Sequence, residues 1–294
     1  MSDVYDLLAK KLDNLPQGFP STESGVELKI LRRIFSPEDA EMALNLRPIP
    51  ETARAIAERL GRPVEEMRDT LDEMAKKGQI ASQTMSGEQV YIFIPFLPGI
   101  WEFQVILADT HKGKELLELC DAYLPFIMKR LGGHEPGLLR VVPVNTQIEP
   151  GSQVQRYEDV RKIVEQAKSF LVQDCQCRKE RKILGHGCNH TIENCIQFSM
   201  HENAYDYFRL GGRIISKEET LQILEKVEEE GLVHNAVYNT KKGHVSICNC
   251  CPCCCVPLRG IKEFGATHAV AKSNFVALIA VSYTHLTLPT TPYV

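Results

Sequence analysis

Along the N-terminal part of the chain, apolar residues recur every three or four positions, the period of a helix with one buried face. Val4, Leu7, Leu8 and Leu12 predict a helix over Val4–Leu15, and Val26, Leu28, Ile30, Leu31 and Ile34 predict a second. Between them Pro16–Ser24 is rich in Gly, Pro and Ser and reads as a linker. Ser36-Pro37-Glu38-Asp39 is a helix start: the serine caps, proline suits the first position, and the acids complement the dipole. It opens a third helix through Met42 and Leu44. Two more follow, Pro50–Leu60 closed by Gly61 and Pro63–Lys77 closed by Gly78, the latter with Val64, Met67, Leu71 and Met74 on one face. The period then drops to two. Ile80–Thr84 and Val90–Phe93 alternate as strands about a Ser86-Gly87 turn.

Helix, turn, helix, hairpin is the order of a winged helix-turn-helix, so residues 1–100 are expected to form a helical, winged-helix-like domain. Such a domain can read DNA with its second helix or dock against protein. Charge favours docking. Glu65, Glu66, Asp69, Asp72 and Glu73 outnumber Arg68, Lys76 and Lys77 on that helix, and duplex phosphates would repel it. DNA is therefore not an expected partner.

Residues 101–154 read as a connection. The stretch entering it, Phe93–Val105, is apolar, broken by Pro95 and Pro98, and holds the one tryptophan, Trp101; it reads as a buried segment. A helix over Gly113–Leu131 should turn Leu116, Leu117, Leu119, Ala122, Phe126 and Ile127 inward, with Cys120 a small core residue. Leu138–Val144 reads as a buried strand. In residues 155–277, helices are expected over Tyr157–Phe170, Asn194–Phe208 and Ser216–Glu230, and a hairpin from Leu232–Tyr238 and His244–Cys248. The last helix carries a capping box, Ser216 to Glu219. The fold class is α+β: a winged-helix-like domain followed by a cysteine-rich domain of helices and hairpins.

Composition narrows the setting. With 294 residues, 24% of them charged and 44% hydrophobic, the chain is long enough for two domains with sizeable cores. A formal net charge of −4 gives no case for a nucleic-acid partner. No apolar stretch suits a bilayer, and the charged opening MSDVYDLLAKKLD is not a secretory signal. A cytoplasmic location is expected, where thiols stay reduced. No phosphate loop, dinucleotide fingerprint or nucleophile elbow occurs, so no catalytic constellation is expected.

The chemistry lies in the cysteines. Ten of the eleven fall between Cys175 and Cys255, in two groups. The first is Cys175, Cys177, Cys188 and Cys195, with Arg178 beside it; the second is Cys248, Cys250, Cys251, Cys253, Cys254 and Cys255. Clustered thiols in a reducing compartment point to soft metals rather than disulfides. An iron–sulfur cluster takes four thiolates, which the first group supplies, and the second can supply four for another site. Zinc, the alternative, prefers two C-x2-4-C knuckles with a spacer, which neither group offers. Cys195, placed at the start of its helix, would gain from the terminal N–H groups. Cations at Arg178, Lys179, Arg181 and Lys182 would stabilise an anionic cluster, Arg178 foremost. His186 and His190 flank Cys188 and could complete a mixed site.

C-x-C-R followed by two spaced cysteines, a helix and ICNCCPCCC resembles the ferredoxin-type 4Fe-4S proteins of anaerobic bacteria, over roughly residues 50–277. The resemblance implies an electron carrier within a larger anaerobic redox system, with an unidentified redox partner protein. It also implies a following ferredoxin domain with C-x2-C-x2-C-x3-C-P runs, and no complete run occurs here. Cys248, Cys251 and Cys254 have the first three spacings, but Leu258 stands at the fourth. Two rivals are a winged-helix regulator that senses redox state or oxygen through a cluster, and a zinc-stabilised interaction protein. After Ala277 the composition changes: residues 278–294 carry no Asp, Glu, Lys or Arg. Val281–Thr290 can be encoded by DNA resembling the transposon-end adaptor of sequencing libraries. The tail is expected to be non-native and unpacked, with the natural frame running on past Ala277.

Overall fold

The computed structural model describes residues 3–85, 87–108, 111–133, 135, 137–141, 160–206, 211–237 and 246–271 of a mixed α and β fold. It opens with three helices, α1 (Val4–Asp13), α2 (Val26–Ile34) and α3 (Pro37–Asn45). The Ser36 hydroxyl accepts the Asp39 N–H, with Pro37 in the first turn, as the sequence requires. At the far end of α3, carbonyl groups lack helical partners. The Lys11 ammonium answers them by donating to Ala43, Leu44 and Leu46 oxygens, and burial depresses its pKa to about 8.

Next come β1 (Glu51–Thr52), α4 (Ala53–Leu60), α5 (Val64–Lys76), β2 (Ala81–Met85) and β3 (Glu88–Ile92). The helix over Pro50–Leu60 is thus shorter than expected. Glu51 and Thr52 pair with Tyr91 and Val90, giving a three-stranded sheet ordered β1-β3-β2, and Thr52 caps α4. The expected helix, helix, hairpin order is present. The acids of α5 are partly used within the fold, since Asp72 accepts from Gln89 and from the Tyr91 hydroxyl.

A tight turn at Phe96–Ile100 leads into α6 (Trp101–Ile106) and α7 (His111–Leu131). Phe93, Phe96, Leu97, Ile100, Trp101 and Val105 are buried, so this stretch is a core connector. On α7 the inward face differs from the expected one: Ala122 and Phe126 are exposed and Leu119 is half-buried. Cys120, Tyr123, Leu124 and Met128 take the core positions beside Leu116, Leu117 and Ile127. One apolar core runs from Tyr5 to Met128 and takes in Val256, Ala266 and Ala269.

The Trp101 Nε1–H donates to Glu180 Oε1 at 3.0 Å, and burial pushes Glu180 up to about 8. Trp101→Phe removes that donor from a fully buried carboxyl group. The expected cost is about 1–3 kcal/mol, read as a lower urea midpoint. An unchanged midpoint would show that the bond contributes nothing.

The cysteine-rich part is built on a seven-stranded sheet ordered β10-β4-β8-β9-β6-β5-β7. Its strands are β4 (Leu139–Val141), β5 (Ser169–Asp174), β6 (Glu193–Ser199), β7 (Arg213–Ile215), β8 (Val233–Val237), β9 (Ser246–Cys250) and β10 (Val270–Ala271). Among the described residues, only the β10–β4 pair of this sheet is parallel. On one face, α8 (Val160–Gln166) and α10 (Lys217–Glu229) bury Val160, Val164 and Leu224 against Val172, Ile196, Phe198 and Ile247. The other helices of this part, α9 (Gln176–Ile183) and α11 (Val256–Phe264), start beside the cysteines.

Two expected helices are corrected here. Tyr157–Phe170 is described from residue 160 on, where the helix α8 ends at Gln166 and Phe170 belongs to β5. Asn194–Phe208 is not a helix where it is described: Cys195 lies on β6, because Ile196 and Phe198 alternate into the sheet core. The expected strand Leu138–Val144 is described only to Val141, and the hairpin turn at residues 239–243 and the tail at 278–294 lie outside the described residues. Among those described, no helix is long and apolar enough to cross a membrane.

Candidate metal centre

Each thiol is presented by an element whose direction the sequence sets. β5 ends at Asp174, Cys175 is the N-cap of α9, and Cys177 falls in the first turn. Cys188 stands in the loop after α9, where Gly187 passes so close that a Cβ would meet Lys182 Cα at 3.0 Å. Thr191 anchors the loop, its N–H donating to Glu230 Oε2 at 2.9 Å and its hydroxyl to Oε1. In the second segment Cys248 and Cys250 sit on β9, and Cys255 is the N-cap of α11. The register sets Ile196 opposite Ile247, so the adjacent Cys195 and Cys248 meet on the other sheet face.

Four thiols converge. The sulfurs of Cys188, Cys251, Cys253 and Cys254 all lie within 4.8 Å of one another, with Cys188 and Cys251 at 3.9 Å. A tetrahedral ion with metal–sulfur bonds of about 2.3 Å needs sulfurs about 3.8 Å apart, so this group is sized for a metal. Cys251 and Cys254 are buried beside Val227 and Leu232, Cys188 is half-buried, and Cys253 is exposed.

The remaining six, Cys175, Cys177, Cys195, Cys248, Cys250 and Cys255, line a cavity of about 510 Å3 that Cys251 also borders. The grouping therefore differs from the order along the chain. Cys188 does not join Cys175, Cys177 and Cys195; it crosses to thiols 63 or more residues away. His186 is exposed, and His190 lies 3.5 Å from Glu230; neither belongs to the four-thiol group.

Arg178 stands between the two groups and is only 2% exposed. Its guanidinium donates to Thr191 O at 2.7 Å, Asn194 Oδ1 at 2.9 Å and Asn249 O at 2.5 Å. Burial opposes its charge, but the sulfurs of Cys175, Cys251 and Cys188 outweigh that and hold its pKa above the ordinary value. Lys179 and Arg181 serve elsewhere, donating to Ile106 O and pairing with Asp121 respectively. Sequence reasoning missed Asn194 and Asn249. Both are fully or nearly fully buried, and Asn249 Nδ2 donates to Asn194 O at 2.6 Å, joining β9 to β6 beside the thiols. No sequence signal marked them, since isolated asparagines are common in loops.

The thiols do not titrate alike. Hydrogen bonds from Cys175 and Cys255 hold Cys177 well below the ordinary thiol value, aided by the Val256 N–H at 3.4 Å. Burial works against a Cys251 thiolate, yet Arg178 and Cys253 bring its pKa below the ordinary value. Burial pushes Cys253 up to about 11 and also raises Cys254. Cys177 and Cys251 are thus held toward the thiolate, while Cys253 and Cys254 keep protons that metal binding would displace.

Compared with known proteins, the chain matches no family model, no curated protein and no solved structure. None of these comparisons gives it a ferredoxin name; what stands is a group of four cysteines close enough to bind a metal ion or cluster.

Proposed function

We propose that this protein is a metal–thiolate electron carrier, with Cys188, Cys251, Cys253 and Cys254 as its outward-facing centre. The observation that carries the reading is the convergence of four thiols from two distant segments, one of them exposed. Four thiolates suit iron, and iron makes the site redox-active. Exposed Cys253 offers an electron a short path to the surface. Arg178, buried against Cys251, offsets the negative charge that four thiolates bring. The partner is a redox protein rather than DNA, in keeping with the acidic α5, and a cytoplasmic, low-oxygen setting would keep the thiols reduced. The resemblance to ferredoxin-type proteins points the same way. Zinc is the second reading, because four sulfurs mutually within 4.8 Å, two of them at 3.9 Å, can close on a single zinc ion as well. The chain would then be an interaction protein.

The test is anaerobic purification from iron-replete cells, metal analysis and reductive titration of wild type and Cys253→Ser/Cys254→Ser. Wild type is expected to contain iron that reduces reversibly, part of it missing from the double variant. Zinc in wild type, lost from the variant with no change in reducible iron, would overturn electron transfer at this site.

A further inference from the structure

The six cysteines outside the four-thiol group form a ring around their cavity. Cys175 contacts Cys177, Cys177 contacts Cys255, and Cys255 contacts Cys250. Cys195 contacts Cys248, while Cys175 faces Cys195 and Cys250 faces Cys248. These sulfurs do not close on one point: among the described residues, Cys188, Cys251, Cys253 and Cys254 are the one group of ligand atoms mutually within 4.8 Å. A single ion cannot reach thiols spread in this way, whereas a sulfide-bridged cluster, with a thiolate on each of several irons, can.

The wall of the cavity suits an anion. Cys175 and Cys255 are the N-cap residues of α9 and α11, and neither side chain caps its helix. Two positive helix ends therefore meet the ring, and the Val256 N–H already donates to Cys177 Sγ. Gln197 Nε2 donates to Cys195 Sγ at 3.7 Å. Arg178 faces Cys175, and its buried Nε finds no hydrogen-bond partner. Elsewhere Leu97, Trp101 and Phe198 border the cavity with apolar surface.

We propose that this cavity is a second metal centre, separate from the four-thiol site, and that the cysteine ring ligates a polynuclear iron–sulfide cluster there. The ring holds more thiols than the four that one [4Fe-4S] cluster takes, so no ligand is drawn from the other group. The inference rests on the thiols being metal ligands, as in the proposed function, but not on which ion fills the outer site. The protein then carries a buried cluster and an exposed centre, with Arg178 and Cys251 between them.

The test assays full-length, anaerobically purified protein for acid-labile sulfide and, by iron-edge X-ray absorption, for iron–iron scattering. Wild type is compared with Cys195→Ser/Cys248→Ser/Cys250→Ser, which alters the ring alone and leaves it fewer thiols than one cluster takes, and with Cys253→Ser/Cys254→Ser, which alters the outer site alone. Sulfide and iron–iron scattering are expected in wild type, lost in the ring variant and retained in the outer-site variant. Wild type free of sulfide, or sulfide lost only from the outer-site variant, would overturn the second centre while leaving the outer ion intact. If the ring variant does not fold, Gln197→Leu serves, since it keeps every ligand and removes one donor to Cys195. Its cluster should have a more negative reduction potential than wild type, and an unchanged potential would count against a cluster in the cavity.

Discussion

Stripping the ion from the four-thiol site should lower stability by about 4 kcal/mol or more, the linkage for a ligand at a thousand times its dissociation constant. The size follows from what the ion joins. Cys188 rides on a loop after α9, while Cys251, Cys253 and Cys254 form the turn between β9 and α11, 63 or more residues along the chain. Without metal, the loop is tied to the rest by Thr191, which donates to Glu230 and accepts from Arg178, and by Ile192 O, which accepts the Cys175 N–H. The check is urea unfolding of the loaded protein against chelator-treated protein, with Cys120→Ser as a control. Cys120 is a buried core residue of α7, so its serine variant should keep its full metal content. Burial raises Cys253 and Cys254, so both carry protons at neutral pH until metal displaces them. Affinity should therefore rise with pH, and the stability difference should shrink as the solution is acidified. Equal stability with and without metal would mean that the four thiols are not a structural staple.

Arg178→Met should destabilise the protein by about 3–5 kcal/mol, the cost of removing one partner from a buried charged network. The substitution leaves Thr191 O, Asn194 Oδ1 and Asn249 O without their donor, and it leaves Cys251 without the cation that favours its thiolate. Arg178→Lys should not restore stability, because one ammonium cannot reproduce the fork that spans β6, β9 and the loop. Denaturant unfolding reads the loss, and metal analysis of the same samples reads a weaker outer site. Full recovery in the lysine variant would show that charge alone matters there.

Much of the fold was legible because local rules and tertiary packing agree. Ser36 and Ser216 cap the helices they were expected to cap, and Met67, Leu71 and Met74 lie on the buried face of α5. Cys195 was misplaced because polar and apolar residues at positions 194–199 fit both periods over so short a run. The strand is decided by its neighbours, Gln173 on β5 and the Cys248 side of β9, which are remote in sequence. The four thiols that converge all lie among the ten cysteines the sequence singles out, but which of the ten come together was not readable. Spacing along the chain suggested that Cys188 goes with Cys175, Cys177 and Cys195. The path of the loop after α9 sends it to Cys251, Cys253 and Cys254 instead. On α7, Phe126 looked inward by hydrophobicity alone, yet Tyr123 takes the core, donating its hydroxyl to Pro20 O at 2.8 Å.

The most direct measurement of thiolate ligation is X-ray absorption at the edge of whatever metal the anaerobically purified protein carries. A first shell of four sulfurs at about 2.3 Å is expected. A shell of oxygen or nitrogen atoms, or protein that binds no metal under iron- and zinc-replete conditions, would contradict it.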